Sequence, residues 1–414
     1  MRRIRVLVAA WLILVAVSIM GCSLTIDDIK TVVGTIVTNH PPAAVTNSPT
    51  PPADPVVTGP TTAGPRVVIP NWGGRPAVRL MPDGTLLVVV DSNGGPDLAT
   101  LEITAPGAVS PVIVIRHALT NPQTKNLFSP SVTYTANGVR LCSAWCFTFE
   151  VDQGCLPYYW TRKSATENWT PHCLRTTIPP WKWEPCKIES SGTQNYAFWF
   201  GYANHYYKID TTTADPSVSY AGQLVAGSNG GGEKEARYVD SNAFYVANSG
   251  CKRNGGSYFR IVGVTSPIIW SDYAAYSTMG SDDGPGHPAI TADLGNPKTV
   301  YLAACYKGLV VNVYDGKQLL FPVTALKLVD KDGHSGAYKY AVSMVPRVGG
   351  GAWIVYTASG TIRLARIMPD GTASVRPPLC GGFAAAIAAD PTGKSLHIIY
   401  NDGKNIMYRK EVAE

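Results

Sequence analysis

The sequence predicts an all-β protein, a single β-propeller of seven four-stranded blades. Two observations predict it: short apolar strands recur with a period near 50 residues, and Gly-containing turns join them in pairs. The repeat starts fall at residues 76, 130, 185, 236, 288, 340 and 384. In the first unit, residues 76–80 and 85–90 flank Asp83-Gly84. In the second, residues 130–134 and 139–147 flank Asn137-Gly138. Units three to six pair 185–192 with 195–201, 236–240 with 243–247, 288–293 with 299–305, and 340–346 with 352–357. The seventh pairs 384–390 with 395–400 and adds a third strand at 405–412. Asp-Gly, Asn-Gly and Gly-Gly between β-branched runs are strong hairpin signals. No helical periodicity of any length follows residue 38. The seventh unit has no sequence left for a fourth strand, and residues 66–69 (Arg-Val-Val-Ile) supply it, so that the ring closes by pairing the two termini.

Ahead of these repeats, Arg2, Arg3 and Arg5 precede an apolar run over residues 6–20, followed by Gly21-Cys22. That is an export leader: the run is too short for a bilayer span of roughly 20 residues. Residues 18–22 (Ser-Ile-Met-Gly-Cys) resemble the lipobox of bacterial lipoproteins. The resemblance implies that 1–21 is a cleaved signal peptide and that Cys22 becomes a lipid-bearing N-terminus. It anchors the protein to the cell membrane or outer membrane, with its body on the extracytoplasmic side; Ser23 resembles an outer-membrane sorting residue. Residues 22–65 read as a tether, rich in Pro and Thr from residue 38 on, that cannot bury enough apolar surface to fold. The folded body is 66–414.

Of nine cysteines, eight remain once Cys22 is set aside: Cys142, Cys146, Cys155, Cys173, Cys186, Cys251, Cys305 and Cys380. An even set in an exported chain predicts disulfide bonds, densest between Cys142 and Cys186. Cys142 and Cys146, four apart on one strand, are too distant to bond each other. No Cys-x-x-Cys pair or His cluster marks a metal, and no dinucleotide or phosphate-binding motif is present, so neither cofactor nor metal is expected. The formal net charge of +6 includes three leader arginines, which leaves too weak and scattered a positive charge for nucleic acid.

The repeat architecture resembles the broad class of sialidase-like, BNR-type propellers over about 350 residues. The Asp-box of that class and its catalytic residues have no counterpart here, so the resemblance implies architecture alone. Propeller topology then gathers residues at one end of the axis, where each innermost strand begins and the second-to-third loops lie. These are Arg75, Asp97, Glu235, Arg237, His287, Tyr338 and Lys339, a polar mouth of mixed charge. His287 stands directly before an innermost strand, where an imidazole suits acid–base work. Phe383, Asp402 and Lys404 fall at the same end. Tyr158, Tyr159 and Trp160 belong to an aromatic tract that reads as core between blades.

The expected function is a surface-tethered propeller that binds a glycan, peptide or envelope protein at this mouth. The alternative is a carbohydrate-active enzyme, lyase or glycoside hydrolase, with His287, Tyr338, His205 and Glu235 as candidate catalytic groups. Fold alone does not decide between them.

Overall fold

The computed structural model describes residues 64–116, 124–148, 158–173, 186–190, 195–199, 205–223, 234–251, 257–263, 269–272, 289–314, 327–331 and 342–413, except positions 93, 94, 96, 105, 106, 213–215, 241, 242, 306 and 307. These residues are all-β, without a helix. Strand β1 (Arg66–Ile69) precedes the repeats. The first sheet holds β2 (Pro76–Leu80), β3 (Leu86–Asp91), β4 (Asp97–Ile103) and β5 (Ile113–Arg116). The second holds β6 (Thr124–Tyr134), β7 (Arg140–Thr148), β8 (Tyr158–Arg162) and β9 (Thr170–Cys173). Then come β10 (Cys186–Ser190), β11 (Asn195–Trp199), β12 (His205–Asp210) and β13 (Ser217–Gln223). The fourth sheet is β14 (Lys234–Asp240), β15 (Ala243–Cys251), β16 (Ser257–Gly263) and β17 (Ile269–Asp272). The fifth is β18 (Ala289–Ala292), β19 (Val300–Cys305), β20 (Leu309–Tyr314) and β21 (Lys327–Asp330). The sixth is β22 (Ser343–Pro346), β23 (Ala352–Ala358), β24 (Thr361–Ile367) and β25 (Ala373–Val375), with β26 (Cys380–Gly381) also on β24. The last sheet combines β27 (Ala385–Ala389), β28 (Ser395–Asn401) and β29 (Ile406–Val412) with β1 on its outer side.

Every sheet is an antiparallel meander, and β1 pairs antiparallel with β29 through Arg66↔Tyr408, Val67↔Met407 and Ile69↔Ile406. The first strand of each sheet lies beside the first strand of the next, and β27 lies beside β2. Sheets stack face to face around one axis, which explains the strand sequences. A middle strand has a neighbouring sheet on each face, so β3 (LLVVVD) and β23 (AWIVYTA) are buried at every position. The outer β5 (IVIR) instead buries Ile115 and exposes Val114 and Arg116 on either side of it. Each described core cluster sits between consecutive sheets: Val88, Val90 and Leu101 meet Ile399 and Tyr408, and Leu87 and Leu98 meet Leu127 and Trp160. Fully burying such an aliphatic side chain contributes about 1.5–3 kcal/mol. Tyr158, Tyr159 and Trp160 are buried as the sequence predicts.

The cysteines depart from expectation. Cys142, Cys305 and Cys380 form no disulfide. Cys142 packs with Leu127, Val132 and Trp160 between the first two sheets, and Cys305 with Tyr301, Leu309 and Tyr356 between the fifth and sixth. Each serves as a small apolar side chain in a separate inter-sheet core. The other five cysteine side chains of the predicted set, and Cys22, lie outside the described residues.

Candidate functional site

The two ends of the axis differ. At the mouth end the innermost strands begin; at the hairpin end the tight turns carry each first strand into its second.

At the mouth end, polar groups at the ends of second strands fasten the loop leading into the following sheet. Asp91, closing β3, accepts from Arg75 N at 2.9 Å through Oδ1 and from Ser129 N of the second sheet at 3.3 Å through Oδ2. Its carbonyl accepts from Trp72 Nε1 at 2.8 Å. Gly74 fits here because an added Cβ would stand 1.9 Å from the Asp91 carbonyl oxygen. Asn401, closing β28, donates through Nδ2 to Gly74 O at 3.3 Å. Thr357 near the end of β23 donates to Phe383 O at 2.9 Å. From the third sheet, Lys187 Nζ donates to Ser129 O at 3.3 Å, Ser129 Oγ at 3.0 Å and Pro130 O at 3.4 Å. Ser129 takes φ +51°, a left-handed conformation at the bulge in β6, and these bonds hold it there. The rim is thus pre-positioned by buried bonds between sheets. Above it, Phe383 is 37% exposed. Its backbone is pinned by Thr357 and by its own N–H to Asn401 O at 2.7 Å. Its ring lies against Gly403, and Asp402 and Lys404 beside it are exposed.

Of the residues the sequence places at this mouth, Arg75 stands at the start of β2 and is buried. Asp97 opens β4, half-buried, its N–H bonded to Ser92 Oγ at 3.3 Å. Glu235 and Arg237 lie on innermost strand β14, opposite Ala247 and Tyr245. His205 opens β12 opposite Trp199 and Gln223. His287, Tyr338 and Lys339 lie outside the described residues.

The hairpin end holds groups that sequence reasoning missed. Arg79 on β2 reaches past the second sheet to Glu189 on β10, with Nη2 2.8 Å from Oε1. Asp293, just after β18, accepts four bonds: Gly295 N at 2.8 Å, Asn296 N at 3.2 Å, Tyr301 OH at 2.8 Å and Gly351 N of the sixth sheet at 2.7 Å. Burial pushes the Asp293 carboxyl up, and the four donors more than offset this, leaving it below its ordinary range. Gly351 at φ +91° admits no side chain, since a Cβ would stand 2.2 Å from Ile367 O. A visible signal existed: Arg79 and Glu189 are charges within strands whose neighbours are apolar, and a charge on an innermost strand requires a partner. Among the described residues no cluster of three His, Cys, Asp or Glu gathers to hold a metal.

No protein-family model matches the sequence. No curated protein matches it either. Solved structures do. The BP39L lectin from Burkholderia pseudomallei superposes with a TM-score of 0.54 at 12% identity, over 83% of this chain and 97% of that one. The WD40 repeats of RRP9 give 0.54 at 9% identity, over 84% and 98%. Polysaccharide lyase Uly1 gives 0.51 at 8% identity, over 83% and 91%. The chain is a β-propeller. Identities this low carry the fold alone, and the sialidase-like resemblance stays architectural.

Proposed function

We propose that this propeller is a glycan-binding module of the cell surface, carried on a lipidated Cys22 by the tether 22–65 and closed as seven blades through β1 and β29. The succession of first-strand contacts and the β1–β29 pairing support the blade count and the closure. The observation that carries the binding reading is Phe383: an exposed aromatic ring on a backbone pinned between two sheets, with Asp402 and Lys404 beside it. An aromatic face flanked by a few polar groups suits the apolar face and hydroxyls of a sugar ring. The remaining contacts are assigned to Asp97, Glu235, Arg237, His287, Tyr338 and Lys339 around the same mouth, with Arg75 buried beneath them. The propeller likeness to a lectin and to a polysaccharide lyase is in keeping with a carbohydrate ligand.

The test is a screen of the mature protein against glycans and polysaccharides, read for retention and for released reducing or unsaturated ends. Retention without product is the expected result. Product would place the protein among carbohydrate-active enzymes working at the same mouth; neither retention nor product would remove the glycan reading.

A further inference from the structure

At the hairpin end the axis opens into a cavity of about 350 Å³, within the range of small-molecule sites. Most of its lining residues are apolar: Leu80 of β2 is half-buried at its wall, and Val78, Met344 and Ile387 line it from innermost strands while their side chains are buried between sheets. At its edge Leu294 and Val348 are 56% and 45% exposed.

Three charged groups line this cavity, and they are not equivalent. Asp293 is committed to the fold: its four bonds use both lone pairs of each carboxylate oxygen. Arg79 is only partly engaged. Glu189 meets Nη2, the side chain is 27% exposed, and no other described group bonds the guanidinium. Its remaining edge presents N–H donors in the planar fork that fits a carboxylate. Asp390 accepts Thr392 N at 2.7 Å through Oδ1. Burial raises the Asp390 carboxyl, but the Thr392 bonds and the pull of His397 and Lys410 outweigh it and leave it below its ordinary range.

We propose that the cavity binds a small zwitterion with an apolar side chain, of amino-acid or dipeptide size: its carboxylate on the edge of Arg79 that Glu189 leaves open, its ammonium on Asp390, its side chain against Leu80, Leu294 and Val348. A simple anion would leave Asp390 repelling it, because Glu189 already balances Arg79. A bare cation would leave the Arg79 donors unmet. A sugar would set hydroxyls against the aliphatic wall without partners. The site lies at the opposite end of the axis from Phe383 and does not depend on glycan binding there.

The full-length chain in detergent tests this by calorimetric titration with leucyl-leucine. N-acetyl-leucinamide, lacking both charges, and 4-methylpentanoate, lacking the amine, serve as controls. Saturable binding of leucyl-leucine is expected, at least tenfold tighter than either control, since each charged hydrogen bond is worth about a factor of ten. Asp390→Asn keeps the Thr392 bond and should weaken binding about tenfold. Arg79→Lys keeps the charge facing Glu189 but loses the fork, and should do the same. Absence of saturable binding, equal affinity for N-acetyl-leucinamide, or unchanged affinity in folded Asp390→Asn and Arg79→Lys proteins would each overturn the proposal.

Discussion

Arg66 in the first strand lies over the ring of Tyr408 in the last, its guanidinium carbon 5.0 Å from the ring centroid. The pair reinforces a four-residue strand that carries a register shift between Val67 and Ile69. Because β1 covers the outer edge of β29, its removal exposes a full row of unpaired backbone groups. Deleting residues 64–69 should lower the unfolding midpoint, broaden the transition and promote association, as followed by circular dichroism and light scattering. Arg66→Ala alone should cost about 0.5–1 kcal/mol, and a double-mutant cycle with Tyr408→Leu should recover a coupling of that size.

Glu102 on β4 is the buried hub between the first two sheets. Arg140 meets it at 3.0 Å and 3.1 Å, and Arg162 at 2.8 Å. Arg162 also lies over Trp169, 4.6 Å from the ring centroid. Removing the shared carboxylate strands two guanidinium groups, so Glu102→Gln should destabilise by about 3–5 kcal/mol in denaturant titration. Arg140→Met leaves the Arg162 pair intact and should cost clearly less.

The framework of the fold was legible in the sequence because propeller strands announce themselves locally. The predicted strand at 66–69 and the pairs 85–90 and 395–400 lie within a residue of β1, β3 and β28. The irregular β6 was read from residue 130 but begins at Thr124, because its bulge at Phe128–Ser131 breaks the alternation that marks a strand. The polar ties were not legible: whether Asp91 faces a ligand or clasps Ser129 depends on which loop lies across it, and that is settled by sheet-on-sheet packing. For Cys142 and Cys305 the cysteine count misled for the same reason, since the two are divided between separate cores.

Burial pushes the Cys142 and Cys305 thiols well above their ordinary range, so neither forms a thiolate at neutral pH. Cys380 is half-buried. A thiol reagent should therefore leave Cys142 and Cys305 untouched in the folded protein and label both, with Cys380, after unfolding without reductant. Mass mapping of the labelled peptides checks this; disulfide-linked peptides containing any of the three would contradict it.

Stability should fall in two steps as pH drops. Burial and the Lys410 charge hold the His397 pKa below its ordinary value near 6.5, against the opposing pull of Asp390. The unfolded chain then binds a proton more readily than the folded one, so the neutral imidazole's contribution is present above about pH 6.5 and lost as pH falls toward the folded pKa. Asp293 and Asp390 are likewise depressed, so their contribution is present above about pH 4 and lost below it. His397→Gln should flatten the first step and leave the second, measured as urea midpoints across pH 3–8.

The central claim is that the mouth at Phe383 binds a glycan. Its most direct test is the affinity of the mature protein and of Phe383→Ala for the tightest glycan found in the screen. Phe383 belongs to none of the described core clusters, so the variant should stay folded, with a modest drop in unfolding temperature. The account predicts saturable binding by the parent and a loss of at least tenfold in the variant, in line with an aromatic contact worth about 1–2 kcal/mol. No bound glycan, or equal affinity in parent and variant, would contradict it.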